Sequence, residues 1–156
     1  PWSPASCPRS APHWGMTMHF ETTVDIDAAP ETVWKLLIDV ERWPDMTASV
    51  NRVELLDEPI ALSARARVHQ PKLPAAIWTV TAFEENRAFT WESRSPGVTT
   101  TAAHELATTP DGTVTVHLTL DQKGPLAPLF ALLTGRLTRR YVAMEATGLK
   151  NKAETP

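Results

Sequence analysis

From His19 to Asp27 the chain alternates. Phe20, Thr22, Val24 and Ile26 share one parity, and Glu21, Thr23, Asp25 and Asp27 the other. A period of two with one polar face predicts a half-buried strand. Pro30 then stands where a helix can start, followed by Glu31, which suits the positive end of the helix dipole. Val33, Trp34, Leu37 and Ile38 recur at helical spacing. This helix is expected to stop near Asp39, with a second short helix or turn around Glu41 to Met46 that contains Pro44.

From about Ser49 the period returns to two. Val53 and Leu55 alternate with Arg52 and Glu54, and Ala64, Ala66 and Val68 with Arg65, Arg67 and His69. Trp78, Val80 and Ala82 alternate with Thr79 and Thr81. Phe89 and Trp91 open a further strand after Asn86-Arg87. Thr100, Ala102, His104 and Leu106 share one face of the next. Asp111-Gly112 is a hairpin turn signal, since both positions tolerate positive φ. Beyond it Val114, Val116, Leu118 and Leu120 alternate with Thr113, Thr115, His117 and Thr119.

Gly124-Pro125 closes the strand series. Leu126, Phe130, Leu133, Leu137, Tyr141 and Met144 then recur every three or four residues. They predict one apolar stripe on a helix of about 24 residues, roughly 36 Å long. The expected order is strand, two short helices, six strands and a long helix, an α+β fold. Consecutive strands joined by tight turns pair antiparallel. A strongly curved sheet touches a single covering helix poorly along its length, and the resulting gap suits an apolar ligand.

Composition changes this picture mainly at the front. Of 156 residues, 14 are Pro, six are Trp and one is Cys. Pro1, Pro4, Pro8, Pro12, Trp2, Trp14 and Cys7 fall within residues 1–18, where Arg9 is the only charged side chain. Prolines at that density exclude a helix or a central strand. The stretch also lacks the apolar run of a signal peptide. Residues 1–18 are therefore expected to be a disordered leader or a non-native extension, with the domain over 19–152 and a tail over 153–156. A proline-rich ligand for a partner domain is the alternative for the leader. Outside the leader the chain then keeps ten prolines, nine in the domain and Pro156 in the tail, and the domain holds Trp34, Trp43, Trp78 and Trp91 and no cysteine. That excludes thiol chemistry and a disulfide framework within it.

Net charge is −3, so no basic field recruits nucleic acid. No run of 18 apolar residues predicts a membrane span. Without an export signal or a disulfide pair, the cytoplasm is the expected compartment. Arg136, Arg139, Arg140, Lys150 and Lys152 raise an anionic membrane surface as an alternative. Glu145 and Glu154 on the same helix favour a solvated face. G-x-S-x-G, G-x-G-x-x-G, P-loop and H-E-x-x-H motifs are all absent, so neither a cofactor nor a metal is expected.

Three stretches carry a family resemblance. The first is Ala28-Ala29-Pro30-Glu31-Thr32-Val33-Trp34, at the start of the first helix. The second continues from Leu36 through Asp39-Val40-Glu41-Arg42-Trp43-Pro44 to Asp45. The third is the strand-turn-strand stretch from Val80 to Trp91. Together with the element order, they make the chain resemble the START-like superfamily, also called SRPBCC. That superfamily includes the birch pollen allergens and the polyketide cyclase/dehydrase family. The resemblance spans about His19 to Lys152. It departs at Glu85-Asn86, where the family commonly carries D-P-P. It implies a helix-grip fold, in which seven antiparallel strands grip the C-terminal helix around a hydrophobic cavity. It also implies a lipid, polyketide or quinone class of ligand, and in some members aromatase and cyclase activity.

With that fold, inward parity makes Trp78, Val80, Phe89, Trp91, His104, Leu106, Val116 and Leu118 the candidate cavity residues on the sheet. The helix stripe adds Phe130, Leu133, Leu137, Tyr141 and Met144. His69 and His117 take the polar parity and are expected to be solvated. His104 shares parity with Ala102 and Leu106. It is either a core histidine with one hydrogen bond or a cavity-facing acid/base. Tyr141 is the sole tyrosine, and its hydroxyl needs a partner if buried. Arg94 and Arg140 are arginines bordering the cavity, either solvated or positioned for a ligand anion. The preferred reading is a binding or carrier module for a small hydrophobic molecule, monomeric or homodimeric. Burying about 300 Å² of apolar ligand surface contributes about 7 kcal/mol before entropy costs. The runner-up is an aromatase/cyclase in which His104 and Tyr141 move protons within one cavity. A partner-binding domain with a collapsed core is the third.

Overall fold

The computed structural model describes residues 17–156. The expected leader lies outside the described residues except for Thr17 and Met18. Strand β1 (Thr17–Ile26) leads into helix α1 (Pro30–Ile38) and a 3-10 turn (Val40–Asp45). Strands β2 (Arg52–Leu55), β3 (Arg65–His69), β4 (Ala76–Glu84), β5 (Ala88–Ser95), β6 (Val98–Thr108) and β7 (Val114–Lys123) follow. Helix α2 (Ala127–Glu154) ends the order. Strand β1 thus includes Thr17 and Met18 of the expected leader, and α2 runs two residues past Lys152. Helix α2 has 28 residues, against the expected 24 or so.

All seven strands form one antiparallel sheet in the order β1-β7-β6-β5-β4-β3-β2. Hairpins join β2 through β7 in sequence. The last strand returns to pair with the first, Phe20 opposite Leu120. Helix α1 and the 3-10 turn carry the chain from one sheet edge to the other, and their apolar side chains fill the concavity. The core contains Ile26, Leu37, Trp43, Phe89, Val116 and Leu149. Burying such side chains contributes about 1.5–3 kcal/mol each.

Two local departures alter parity or turn geometry. The β4–β5 register shifts between Val80 and Ala82, leaving Thr81 as the extra residue of a bulge. Side chains beyond it swap faces, so Ala82 is exposed and Phe83 packs on Trp34 at 5.7 Å. Strict alternation from Trp78 had put Ala82 inside. At the β4–β5 turn Asn86 adopts φ 63, a left-handed conformation that asparagine tolerates better than most residues. Proline, whose ring holds φ near −65°, cannot take that geometry.

The helix stripe is the main correction. Leu126 is half-exposed and Leu133 is 74% exposed, as Leu129 and Leu132 also turn outward. The buried face carries Ala127, Thr138, Tyr141, Val142, Ala146 and Leu149 instead. Small residues are needed because backbones approach closely there. A Cβ on Gly148 would sit 2.1 Å from the Met46 carbonyl oxygen. Gly148→Ala is expected to overpack this contact by about 1–3 kcal/mol. Helix propensity returns at most about 1 kcal/mol. A net fall in melting temperature of about 2–8 °C is expected by calorimetry. An unchanged or higher value would contradict this packing.

Candidate functional site

A cavity of about 300 Å³ lies between α2, the inner face of β4 to β7 and the β3–β4 loop. Trp78, Ile77, Leu120, Phe130 and Val142 supply apolar wall. Polar groups also converge on it. Ser93, Thr100 and Gln122 form a row across β5, β6 and β7, being successive cross-strand partners. Helix α2 adds Thr134, Thr138, Tyr141 and Glu145. Adjacent strands lie about 4.8 Å apart, so the strand row spans about 10 Å. Arg94 borders the cavity but is 82% exposed and paired with Glu92 at 2.8 Å. Arg140 is exposed and does not line it.

Of the residues expected at the cavity, Trp78, Phe130 and Tyr141 line it. Val80, Phe89, Trp91, Leu106, Val116 and Leu118 are buried in the core behind it instead. Helix α1 and the 3-10 turn pack into the middle of the concavity. Trp43 lies 5.3 Å from Trp91 and 6.5 Å from Phe89, ring to ring. Inward parity shows which face a residue occupies, not whether a helix fills the space above it. Leu133 points away from the sheet, and Leu137 and Met144 are half-buried without lining the cavity. The polar-faced orientation of α2 accounts for all three.

His104 is 3% exposed and does not line the cavity. Its ring stacks on Phe89 at 4.3 Å and faces Trp43 at 5.5 Å. Nε2 stands 3.0 Å from Glu145 Oε1, and Nδ1 is 3.4 Å from the Phe89 carbonyl. That carbonyl only accepts, so Nδ1 carries the hydrogen there. One proton then occupies the Nε2–Oε1 line, whichever side holds it. Glu145 does line the cavity, with its side chain 18% exposed. The group presented to a ligand is therefore a carboxyl positioned by a buried histidine. Sequence reading counted Glu145 only as a helix charge. Its one signal was its position, four residues beyond Tyr141 on the same helix face.

The Tyr141 hydroxyl donates to the Pro71 carbonyl. It thus holds the β3–β4 loop against α2 while its ring lines the cavity. His104 and Tyr141 do not both present proton-transfer groups to one substrate, so the cyclase hypothesis in that form does not hold.

The remaining histidines lie elsewhere. His69 is half-exposed, with Nε2 3.8 Å from Glu54. His117 bonds Glu21 at 2.9 Å on the outer face of the sheet. His19, beside them, donates to Asp121 and Glu21. Hydrogen bonds that it donates to Asp121 and then to Glu21 raise the His19 pKa above 6.5. Hydrogen bonds from His117 and then His19 lower that of Glu21 below 4.5. The His19 contribution is complete below 6.5 and lost as pH rises through its raised value. The Glu21 contribution is present above 4.5 and lost as pH falls. The cluster is thus most favourable between about pH 4.5 and 6.5. His19→Gln should lose less stability than the parent between pH 5.5 and 8 in urea melts, and an equal loss would contradict the assignment. Among the described residues no group of three His, Cys, Asp or Glu side chains can hold a metal ion. No helix there is long and apolar enough to cross a membrane.

Residues 17–154 match the family model for polyketide cyclase / dehydrase and lipid transport. The chain belongs to this family. This family member also shares its fold with solved structures of low sequence identity. An aromatase/cyclase from Streptomyces sp. R1128 has a TM-score of 0.75 at 18% identity, covering 89% of this chain and 94% of that one. A START superfamily protein from Mycobacterium smegmatis has 0.68 at 16%, covering 86% and 97%. The protein Ara h 8.0201 has 0.63 at 10%, covering 86% and 98%. No curated protein matches the chain in sequence. The family member thus has the helix-grip architecture of a superfamily whose cavities take hydrophobic ligands or perform cyclase chemistry.

Proposed function

We propose that the protein binds one small ligand, mostly apolar with a hydrogen-bonding end, between α2 and the sheet. The cavity of about 300 Å³ carries this reading, because apolar wall and converging polar groups occur together in it. An apolar cavity of about 150 Å³ takes benzene, so this one suits about two fused rings. Native mass spectrometry tests the reading. The stripped protein should take up 2-naphthol at one molecule per chain. Absence of any saturable uptake, by this or a panel of fatty acids and quinones, would contradict it.

A second reading is favoured by the Glu145–His104 contact of 3.0 Å. A carboxyl at the cavity wall, backed by a buried imidazole, can accept a proton from a carbon next to a ligand carbonyl. With the shared proton on Nε2 the carboxyl is a carboxylate, and it takes the carbon's proton on its other oxygen as the ligand becomes an enolate. Cyclisation and dehydration both need such a step. The test is deuterium incorporation into 2-tetralone in heavy water. Catalysed exchange is expected, falling about 10²–10⁴-fold in Glu145→Gln. Exchange at the protein-free rate would remove this reading and leave the carrier reading in place.

A further inference from the structure

The polar row of the cavity holds one group whose needs the fold does not meet. Gln122 is 3% exposed, lines the cavity, and its Oε1 has no hydrogen-bond partner. No hydrogen bond to its amide nitrogen is found among the described residues either. Oε1 has no accessible surface, so the amide end open to the cavity is Nε2, and a half-turn of the amide brings the oxygen there. Its neighbours on the row are Thr100, directly across β6, and Ser93 beyond it on β5. Ser93 is 7% exposed, and its hydroxyl makes no hydrogen bond among the described residues.

A buried amide without partners is costly, and buried polar groups in folded proteins are nearly always paired. Other inward positions of the same strands are apolar, as Trp91, Ala102 and Leu120 show one row further along. A leucine at 122 would continue that pattern and suit the fold better than glutamine does. The conspicuous polar residue thus stands where a ligand, not the fold, would satisfy it.

We propose that Gln122 selects the ligand: with its amide turned so that the oxygen faces the cavity, it accepts a hydrogen bond from a hydroxyl or amide N–H at one end of a fused-ring molecule. The inference rests on the cavity being the ligand site. It goes further in naming the donor that the ligand must carry and the residue that reads it. Thr100 and Ser93 lie alongside to meet an adjacent oxygen, so a ring bearing neighbouring hydroxyl and carbonyl groups is the class best matched. A bare hydrocarbon would leave the amide unpaired, and such a mismatch is what a polar pocket discriminates against most strongly.

The experiment compares 2-naphthol with naphthalene by calorimetric titration against the parent, Gln122→Leu and Gln122→Met. The parent should bind 2-naphthol about tenfold more tightly. In both variants the ratio should fall close to one, chiefly through weaker naphthol binding. The unliganded variants should melt about 2–4 °C higher than the parent, since a strained requirement has been removed. A ratio that survives in both variants, or no preference in the parent, would overturn the proposal while leaving the cavity as the binding site. Lower melting of both variants would overturn it too, by showing that the amide serves the fold. Failure of either compound to bind the parent at all would overturn the site reading and this one together.

Discussion

Trp43→Ala should cost about 3–5 kcal/mol of stability. The indole is 2% exposed and donates from Nε1 to the Leu37 carbonyl at 3.1 Å. Around it stand Trp91, His104 and Phe89, at ring separations of 5.3, 5.5 and 6.5 Å. Removing it opens a void between the 3-10 turn and the sheet that rigid aromatic neighbours cannot close. Domains of this size have about 5–15 kcal/mol in total. The variant is therefore expected to melt about 6–20 °C lower. It should also loosen the wall that holds His104 against Glu145. A fall of less than about 2 °C would mean that the 3-10 turn is not part of the core.

The second large effect concerns binding. Thr138 lies on the cavity side of α2 and is 9% exposed. Thr138→Phe would place a ring in the space a ligand needs. Affinity for 2-naphthol is expected to fall at least about 100-fold, or about 3 kcal/mol. Melting temperature should change little, because the ring fills an existing void in place of displacing packed atoms. Thr138→Leu should give a smaller loss of the same kind. Retained affinity in both, with the fold intact, would put the ligand elsewhere.

The architecture was legible because its signals are local. Period-two runs, the Asp111-Gly112 turn and Pro30 at a helix start each depend on a few neighbouring residues. Hairpin connectivity then left little choice of topology. The site was less legible because its geometry is set by contacts far apart in the chain. Parity put His104 inside correctly, but its partner Glu145 comes from a different element, 41 residues away. Phe89 and Trp91 also face inward, yet Trp43 from the 3-10 turn fills the space before them, which no strand pattern records. Helix α2 misled most. Its conspicuous leucines, Leu126, Leu129, Leu132 and Leu133, are on the outside. The face it turns to the sheet mixes Tyr141, Val142 and Leu149 with threonines, a glutamate and small residues, because it roofs a partly polar cavity and approaches β1 closely. Hydrophobic periodicity assumes that the inner face is the greasy one, and a helix over a partly polar cavity need not obey that. The Thr81 bulge illustrates the same limit on a smaller scale: one extra residue reversed the faces of Ala82 and Phe83.

Glu145 and Gln122 share the property that exposed them only in three dimensions. Both are polar groups placed at an inner wall, one partnered by a buried histidine and the other by nothing among the described residues. In the proposed reading, their presence gives a generic hydrophobic gap a chemical preference.

Titrating the ¹⁵N-labelled protein with 2-naphthol and following amide and indole resonances tests the ligand site most directly. Saturable shifts centred on Trp78, Gln122, Thr138 and Glu145, and absent in Thr138→Phe, are the predicted result. Saturable shifts confined to other surfaces, or none at all, would contradict the cavity between α2 and the sheet as the place where this protein does its work.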